Sequence, residues 1–248
     1  MSALQSVESG PDGAPLVALV HGSMDRVAGM AKLVRRLEER HRVLRYDRRG
    51  YGTSRDAGPP FSIEQHVRDL ATLLDGRAAV VFGHSLGGDI ALALAQRHPE
   101  LVRAAVVYES PLSWQPWWPR DTSAGAALAG SDEDAAERFL RRMIGDTVWE
   151  RLPGRTRADR RAEGPALVGE LRDLRQHAPW DPALITVPVL VTRGELGPAH
   201  HERGMGWLAD HLHTEVIVVP GARHGAHTSH PDAIAALIEQ AFARATAR

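Results

Sequence analysis

The chain contains no cysteine among its 248 residues. That excludes disulfides, thiolate metal sites and a cysteine nucleophile, and it fits a reducing compartment such as the cytoplasm. Long apolar runs are missing too: none approaches the roughly 18 residues of a membrane span. Residues 1–10 have neither a basic start nor an apolar stretch, so no signal peptide is expected. Charge of one sign is also lacking. The 30 basic and 31 acidic residues leave a formal net charge of −1, and the two signs interleave as on a solvated surface. No nucleic-acid partner is expected. Lys32 is the only lysine, and aromatic residues make up 5% of the chain, so a local concentration of aromatics is informative.

What is present is a recurring alternation. Apolar runs at 16–20, 43–46, 78–82, 104–108, 187–192 and 216–219 read as short buried strands, with an edge strand at 4–8. Helical patterns lie between them at 27–40, 62–75, 85–97 and 231–245. Ser62 with Gln65 three residues on forms a capping-box pattern, and Pro231 opens the last helix. Such alternation implies a mostly parallel sheet covered by helices on both faces, an α/β architecture. The length is sufficient to bury a core without staples. Between Pro111 and Ile185 no strand pattern occurs. Helices are expected at 132–144, with Asp132 as cap, and at 162–177, while 123–131 is the stretch expected to be loosest. A segment this long exceeds an ordinary loop. The domain reading is therefore a core of residues 1–111 and 186–248, with a helical lid at 112–185.

Chemistry concentrates at the ends of the strands. "VVFGHSLGG" (80–88) holds Gly83-x-Ser85-x-Gly87 between an apolar strand and a helix, the context that a nucleophile elbow needs. There the Ser85 hydroxyl stands at the positive end of a helix, and the Leu86 N–H can face the reacting oxygen. "LVHGS" (19–23) ends another strand, and the Ser23 N–H is the candidate second oxyanion donor. "PGARHGAH" (220–227) follows the last strand and offers His224 as base, with His227 and His230 as competitors. The histidines lack a companion cysteine or acid at a recognisable ligand spacing, so no metal or other cofactor is expected.

Taken together, "LVALVHGS" (16–23), "YDRRGYGTS" (46–54), "VVFGHSLGG" (80–88), "HPELVRAAVVYESP" (98–111), "VPVLVTRGE" (187–195) and "VPGARHGAH" (219–227) resemble the α/β-hydrolase fold family, in the family's order. The resemblance implies a mostly parallel sheet flanked by helices, with a helical lid inserted after strand six. It implies Ser85 as nucleophile, His224 as base, and the Ser23 and Leu86 amides as oxyanion hole. Asp47, Arg49, Gly50, Gly52 and Ser54 match a family turn that is usually structural. Independently of the family, a serine becomes nucleophilic only when a neighbouring base removes its proton, and an acid behind that base fixes its tautomer.

The acid needs its own argument. Many family members carry it after the seventh strand, but "TRGELGPAHH" (192–201) has Gly197 at that position. Part of the family, haloalkane dehalogenases included, places it after the sixth strand, where Glu109 stands in "AAVVYESPLSW" (104–114). Glu109 is the expected triad acid, with Glu195 as the alternative. A serine rather than a carboxylate at the nucleophile position points to acyl transfer, a carboxylesterase-like hydrolysis of an ester, thioester or lactone. A carbon–carbon hydrolase, a cofactor-free perhydrolase and a non-catalytic ligand-binding protein are the alternatives. Met24, Trp114, Trp117, Trp118, Phe139 and Met143 are candidate substrate contacts, the tryptophans being concentrated within five positions; the competing reading is that they hold the insertion to the core. A small hydrophobic acyl compound is the expected partner, and the oligomeric state is left open.

Overall fold

The computed structural model describes residues 4–246, so the first three residues of the 1–10 stretch lie outside the described residues. Its strands are β1 (Ser6–Ser9), β2 (Leu16–Val20), β3 (Arg42–Tyr46), β4 (Ala79–His84), β5 (Val102–Tyr108), β6 (Val189–Gly194) and β7 (Val216–Val219). They form one sheet in the order β1-β3-β2-β4-β5-β6-β7. β1 runs antiparallel to β3, and every other pair is parallel. The helices are α1 (Ala31–Leu37), α2 (Ile63–Leu74), α3 (Leu86–Arg97), α4 (Ser123–Leu128), α5 (Ala135–Ile144), α6 (Asp146–Arg151), α7 (Gly154–Arg161), α8 (Gly164–Gln176), α9 (Ala199–His211), α10 (Ala226–Ser229) and α11 (Pro231–Thr246). No helix among the described residues is long and apolar enough to cross a membrane.

Strand side chains alternate between two core layers, as a period of two requires. Leu16, Ala18 and Val20 of β2 join Val81 of β4 and Val107 of β5 beneath Val67 and Leu70 of α2, Ile90 of α3 and Leu208 of α9. Val17, Leu19, Val80, Phe82 and Val106 meet Leu33 and Leu37 of α1 and Ile234 and Ile238 of α11 on the other face. Because β2, β4, β5, β6 and β7 are parallel neighbours, their C-terminal ends open on one edge of the sheet. That edge is where open α/β sheets place their ligands.

Five helices, α4 to α8, fill the stretch between β5 and β6. They carry their own apolar cluster, in which Phe139, Leu140, Trp149, Leu167 and Leu171 surround Met24 and Tyr51 of the sheet loops. The insertion follows the fifth strand of this chain, because β1 alone precedes β2.

Several local expectations need correction. Residues 27–40 hold a 3-10 turn, Val27–Met30, before α1 begins. Asp132 does not cap α5: its carboxylate pairs with Arg172 of α8 at 2.8 Å, and the helix starts at Ala135. The supposedly loose stretch contains α4, whose first turn is held by Thr122 Oγ1 accepting from Gly125 N. Ser62 does cap α2, but Gln65 turns its side chain to Asp69 instead of completing the box.

Candidate active site

β4 ends at His84, and the next residue turns sharply. Ser85 has φ 53° and ψ −128°, a conformation costly for a residue with a side chain. It is held because Ser85 N–H donates to Tyr108 O at 2.8 Å and Ser85 O accepts from Gly88 N at 2.7 Å. The crossing of β2 and α3 behind it is so close that a Cβ at Gly87 would collide with Val20 O. The elbow therefore exists because β4 and β5 pin its backbone and a glycine clears its rear. Among the described residues, neither Leu86 N–H nor Ser23 N–H donates to a protein group, so both donors are available.

Glu109 leaves the end of β5 with φ 49° while its N–H still donates to Thr192 O at 3.0 Å. That turn sends a fully buried carboxylate into the space between β5 and β6. Its Oε1 accepts from Gly194 N at 2.9 Å, and its Oε2 accepts from His224 Nδ1 at 2.7 Å. A carboxylate acceptor fixes the proton on Nδ1 and leaves Nε2 with a lone pair, the tautomer of a base. The His224 loop is itself clamped: His84 Nε2 donates to His224 O and Tyr108 OH donates to Arg223 O, both at 2.8 Å. Ser85 Oγ and His224 make no direct hydrogen bond, a contact that commonly tightens only with substrate in place.

The residue that stands where many such folds have their acid lies against this pair. A Cβ added to Gly197 would come within 2.5 Å of Glu109 Oε1, so the two positions compete for one space. Glu195 is exposed and instead holds a turn, its Oε2 accepting from Gly221 N at 2.8 Å. The competing histidines face elsewhere. His227 Nε2 lies 3.1 Å from Asp25 Oδ2, and His230 Nδ1 lies 2.8 Å from Ser229 Oγ.

Residues 17–237 match the model of the alpha/beta hydrolase family. The chain belongs to that family. Among curated relatives, it is 27% identical over 243 residues to a 2-(acetamidomethylene)succinate hydrolase of Mesorhizobium japonicum, covering 88% of this chain and 84% of that one. It is 30% identical over 243 residues to a pimeloyl-(acyl-carrier protein) methyl ester esterase of Neisseria meningitidis, covering 93% and 94%. Among solved structures, an alpha/beta hydrolase from Sphaerobacter thermophilus superposes with a TM-score of 0.67 at 29% identity, covering 96% of each chain.

Around the hydrolase triad candidates runs a row of imidazoles that the sequence does not announce. Ring centroids are 4.5 Å apart for His200 and His201, 4.9 Å for His201 and His224, 4.7 Å for His224 and His84, and 4.3 Å for His84 and His227. Burial, reinforced by the neighbouring imidazoles, pushes His84 and His201 well below the usual histidine range, so both are neutral near pH 7. Two groups of three ligand-type side chains result, Asp25 with His84 and His227, and Glu109 with His201 and His224. The carboxylates that a linear spacing did not supply come from other loops.

The expected substrate contacts separate into groups. Trp114 packs edge-on against Trp180 at 5.1 Å, Trp117 lies under the Arg203 guanidinium at 4.4 Å, and Trp118 meets His200 and His201. Met24 and Phe139 are brought together in the apolar cluster of the insertion. Met143 stands 45% exposed, outside that cluster.

One buried network was missed in the sequence. Arg48 and Glu170 are both fully inaccessible and pair at 2.7 Å, and the Ser23 hydroxyl donates to Glu170 Oε1 at 2.6 Å. The available signal was a carboxylate on an apolar stripe, since Glu170 shares a helix face with Leu167, Leu171 and Leu174.

Proposed function

We propose that this alpha/beta hydrolase is a serine hydrolase that cleaves an ester, thioester or lactone of a small hydrophobic compound through an acyl-enzyme. The observation that carries the reading is the buried Glu109 carboxylate, held by Gly194 N–H and bonded at 2.7 Å to His224, on the same sheet edge as the strained Ser85 turn. In this reading His224 Nε2 takes the Ser85 proton as Oγ attacks the carbonyl carbon. The oxyanion forms against the Ser23 and Leu86 N–H groups, where each donor is worth about 10²–10³ in rate. The imidazolium, stabilised by Glu109, then protonates the leaving group, and water repeats the sequence to release the acid. No cofactor takes part.

A relative named as a methyl ester esterase supports the acyl-transfer class over the carbon–carbon alternative. We read residues 1–111 and 186–248 as the catalytic core and 112–185 as a lid, with Met24, Phe139 and the tryptophans at 114, 117 and 118 as the apolar side of the substrate site. A cysteine-free chain suits a cytoplasmic enzyme.

The test is labelling with a fluorophosphonate beside a panel of p-nitrophenyl esters. Wild type should label at Ser85 and hydrolyse short acyl esters, and Ser85→Ala should lose both. Folded wild-type protein that neither labels nor turns over any ester would overturn the reading in favour of ligand binding.

A further inference from the structure

We propose that Arg48 and Glu170 are positioning residues that aim the Ser23 N–H into the oxyanion hole, so that the hole is complete only while α8 is docked. The inference rests on the serine-hydrolase reading above. Its starting point is the peptide between Gly22 and Ser23. A trans peptide is planar, with C=O and N–H pointing in opposite directions, so whatever holds the Gly22 oxygen also directs the Ser23 N–H.

That oxygen accepts from the Asp25 N–H at 3.4 Å and, more closely, from two side chains. Arg48 Nη2 donates to Gly22 O at 3.1 Å, and His21 Nδ1 donates to it at 2.8 Å. The His21 tautomer is set by the far side of the ring, where Nε2 accepts from Arg48 N at 2.9 Å. Burial, with the Arg48 charge beside it, pushes the His21 imidazole down to about 4, so the ring is neutral and keeps that tautomer near pH 7. Arg48 Nε also holds His21 O at 2.9 Å. One guanidinium thus fixes two successive carbonyls, and the Ser23 N–H is turned away from it.

Arg48 is fully buried, and a buried cation needs a counter-charge. Glu170 supplies it from α8, 122 positions along the chain. Its Oε2 accepts from Arg48 Nη1 at 2.7 Å. Its Oε1 accepts from the Tyr51 and Ser23 hydroxyls, each at 2.6 Å. Burial alone would raise the Glu170 carboxyl, but the Arg48 charge, together with the contacts from His66 at 3.5 Å and from Arg48, outweighs it and holds it below the usual range. Ser23 is therefore gripped at both ends: its side chain by Glu170, and the carbonyl of its own peptide by the Arg48 that Glu170 neutralises. The Ser23 hydroxyl has one proton, and it goes to Glu170, so only the backbone N–H serves the oxyanion. Withdrawing α8 would remove the acceptor and the counter-charge together and free the peptide to turn.

The experiment compares an ester with its thionoester, whose sulfur is a poor acceptor for oxyanion-hole donors. A damaged hole lowers the ester rate far more than the thionoester rate, whereas a general structural defect lowers both alike. For Glu170→Gln the expected result is a kcat loss on the ester of about ten- to a hundredfold, with KM within about threefold and the ester-to-thionoester ratio falling in parallel. Ser23→Ala, which keeps the N–H but cuts the tie to Glu170, should lower that ratio about tenfold, and it tests the idea if Glu170→Gln does not fold. An unchanged ratio in a folded variant overturns the positioning role while leaving the hydrolase reading intact. Wild type inert to both substrates would instead remove the reading on which it rests.

Discussion

Replacing Glu109 by glutamine tests the candidate triad at its least replaceable atom pair. The carboxylate accepts from two donors, Gly194 N–H through Oε1 at 2.9 Å and His224 through Oε2 at 2.7 Å. A glutamine has one oxygen for two donors. If its oxygen stays on Gly194, the NH₂ faces Nδ1, and the imidazole must move its proton to Nε2, where it can no longer accept one from Ser85. In serine proteases that tautomer error costs about 10⁴ in kcat. If the oxygen turns to His224, two donors confront each other in a buried site at about 1–3 kcal/mol. That makes the active orientation roughly five- to a hundredfold rarer, and it supplies no charge to the imidazolium. The expected loss in Glu109→Gln is therefore about 10²–10⁴ in the acylation rate, read as the burst with a p-nitrophenyl ester. Glu195→Gln is the control, because among the described residues the Glu195 carboxylate bonds only Gly221 N. A Glu109→Gln burst within about threefold of wild type, or a larger loss in Glu195→Gln, refutes the reasoning.

Three further outcomes follow from individual contacts. Gly197→Ala should push the Glu109 carboxylate off His224 and lower kcat about ten- to a hundredfold with little change in melting temperature; full activity would show that the carboxylate has room to yield. Asp89 is fully buried, with Trp180 Nε1 as its hydrogen-bond donor at 3.2 Å, and burial raises its carboxyl well above the usual value. Below about pH 4 both folded and unfolded chains hold this proton; above it the unfolded chain releases it first, so stability falls with rising pH until the raised folded value is passed. The melting advantage of Asp89→Asn should accordingly grow from acid toward neutral pH, and a constant offset would contradict this. Trp149, wholly buried in the insertion with its Nε1 donating to Glu137 at 3.0 Å, should cost about 3–5 kcal/mol when changed to alanine, measured by urea unfolding.

The strand ends were legible because a buried parallel strand writes itself as an apolar run, and three of the runs lead into candidate catalytic residues. Ser85, His224 and Glu109 all follow such runs. The vacancy at Gly197 was also readable, yet only the folded chain reveals that the Glu109 carboxylate lies against it. Asp132 misled because its partner, Arg172, lies 40 positions away and outcompetes a local cap. Glu170 escaped notice for the same reason: its partners sit on two distant loops, Ser23 after β2 and Arg48 with Tyr51 after β3, and nothing in the linear order joins them to α8. The imidazole row is likewise assembled from three segments that meet only when β4, β7 and α9 are in place.

The contest between Gly197 and Glu109 has a bearing on how such enzymes change over generations. If one space holds the acid from either loop, a lineage cannot pass from one arrangement to the other through an ancestor carrying both. An aspartate arriving at 197 beside an intact Glu109 would jam the histidine, and losing Glu109 first leaves the histidine unsupported. With Glu109 as the acid proposed above, each order of single steps passes through a poorer catalyst, so the placement of the acid should drift less freely than the loops that carry it.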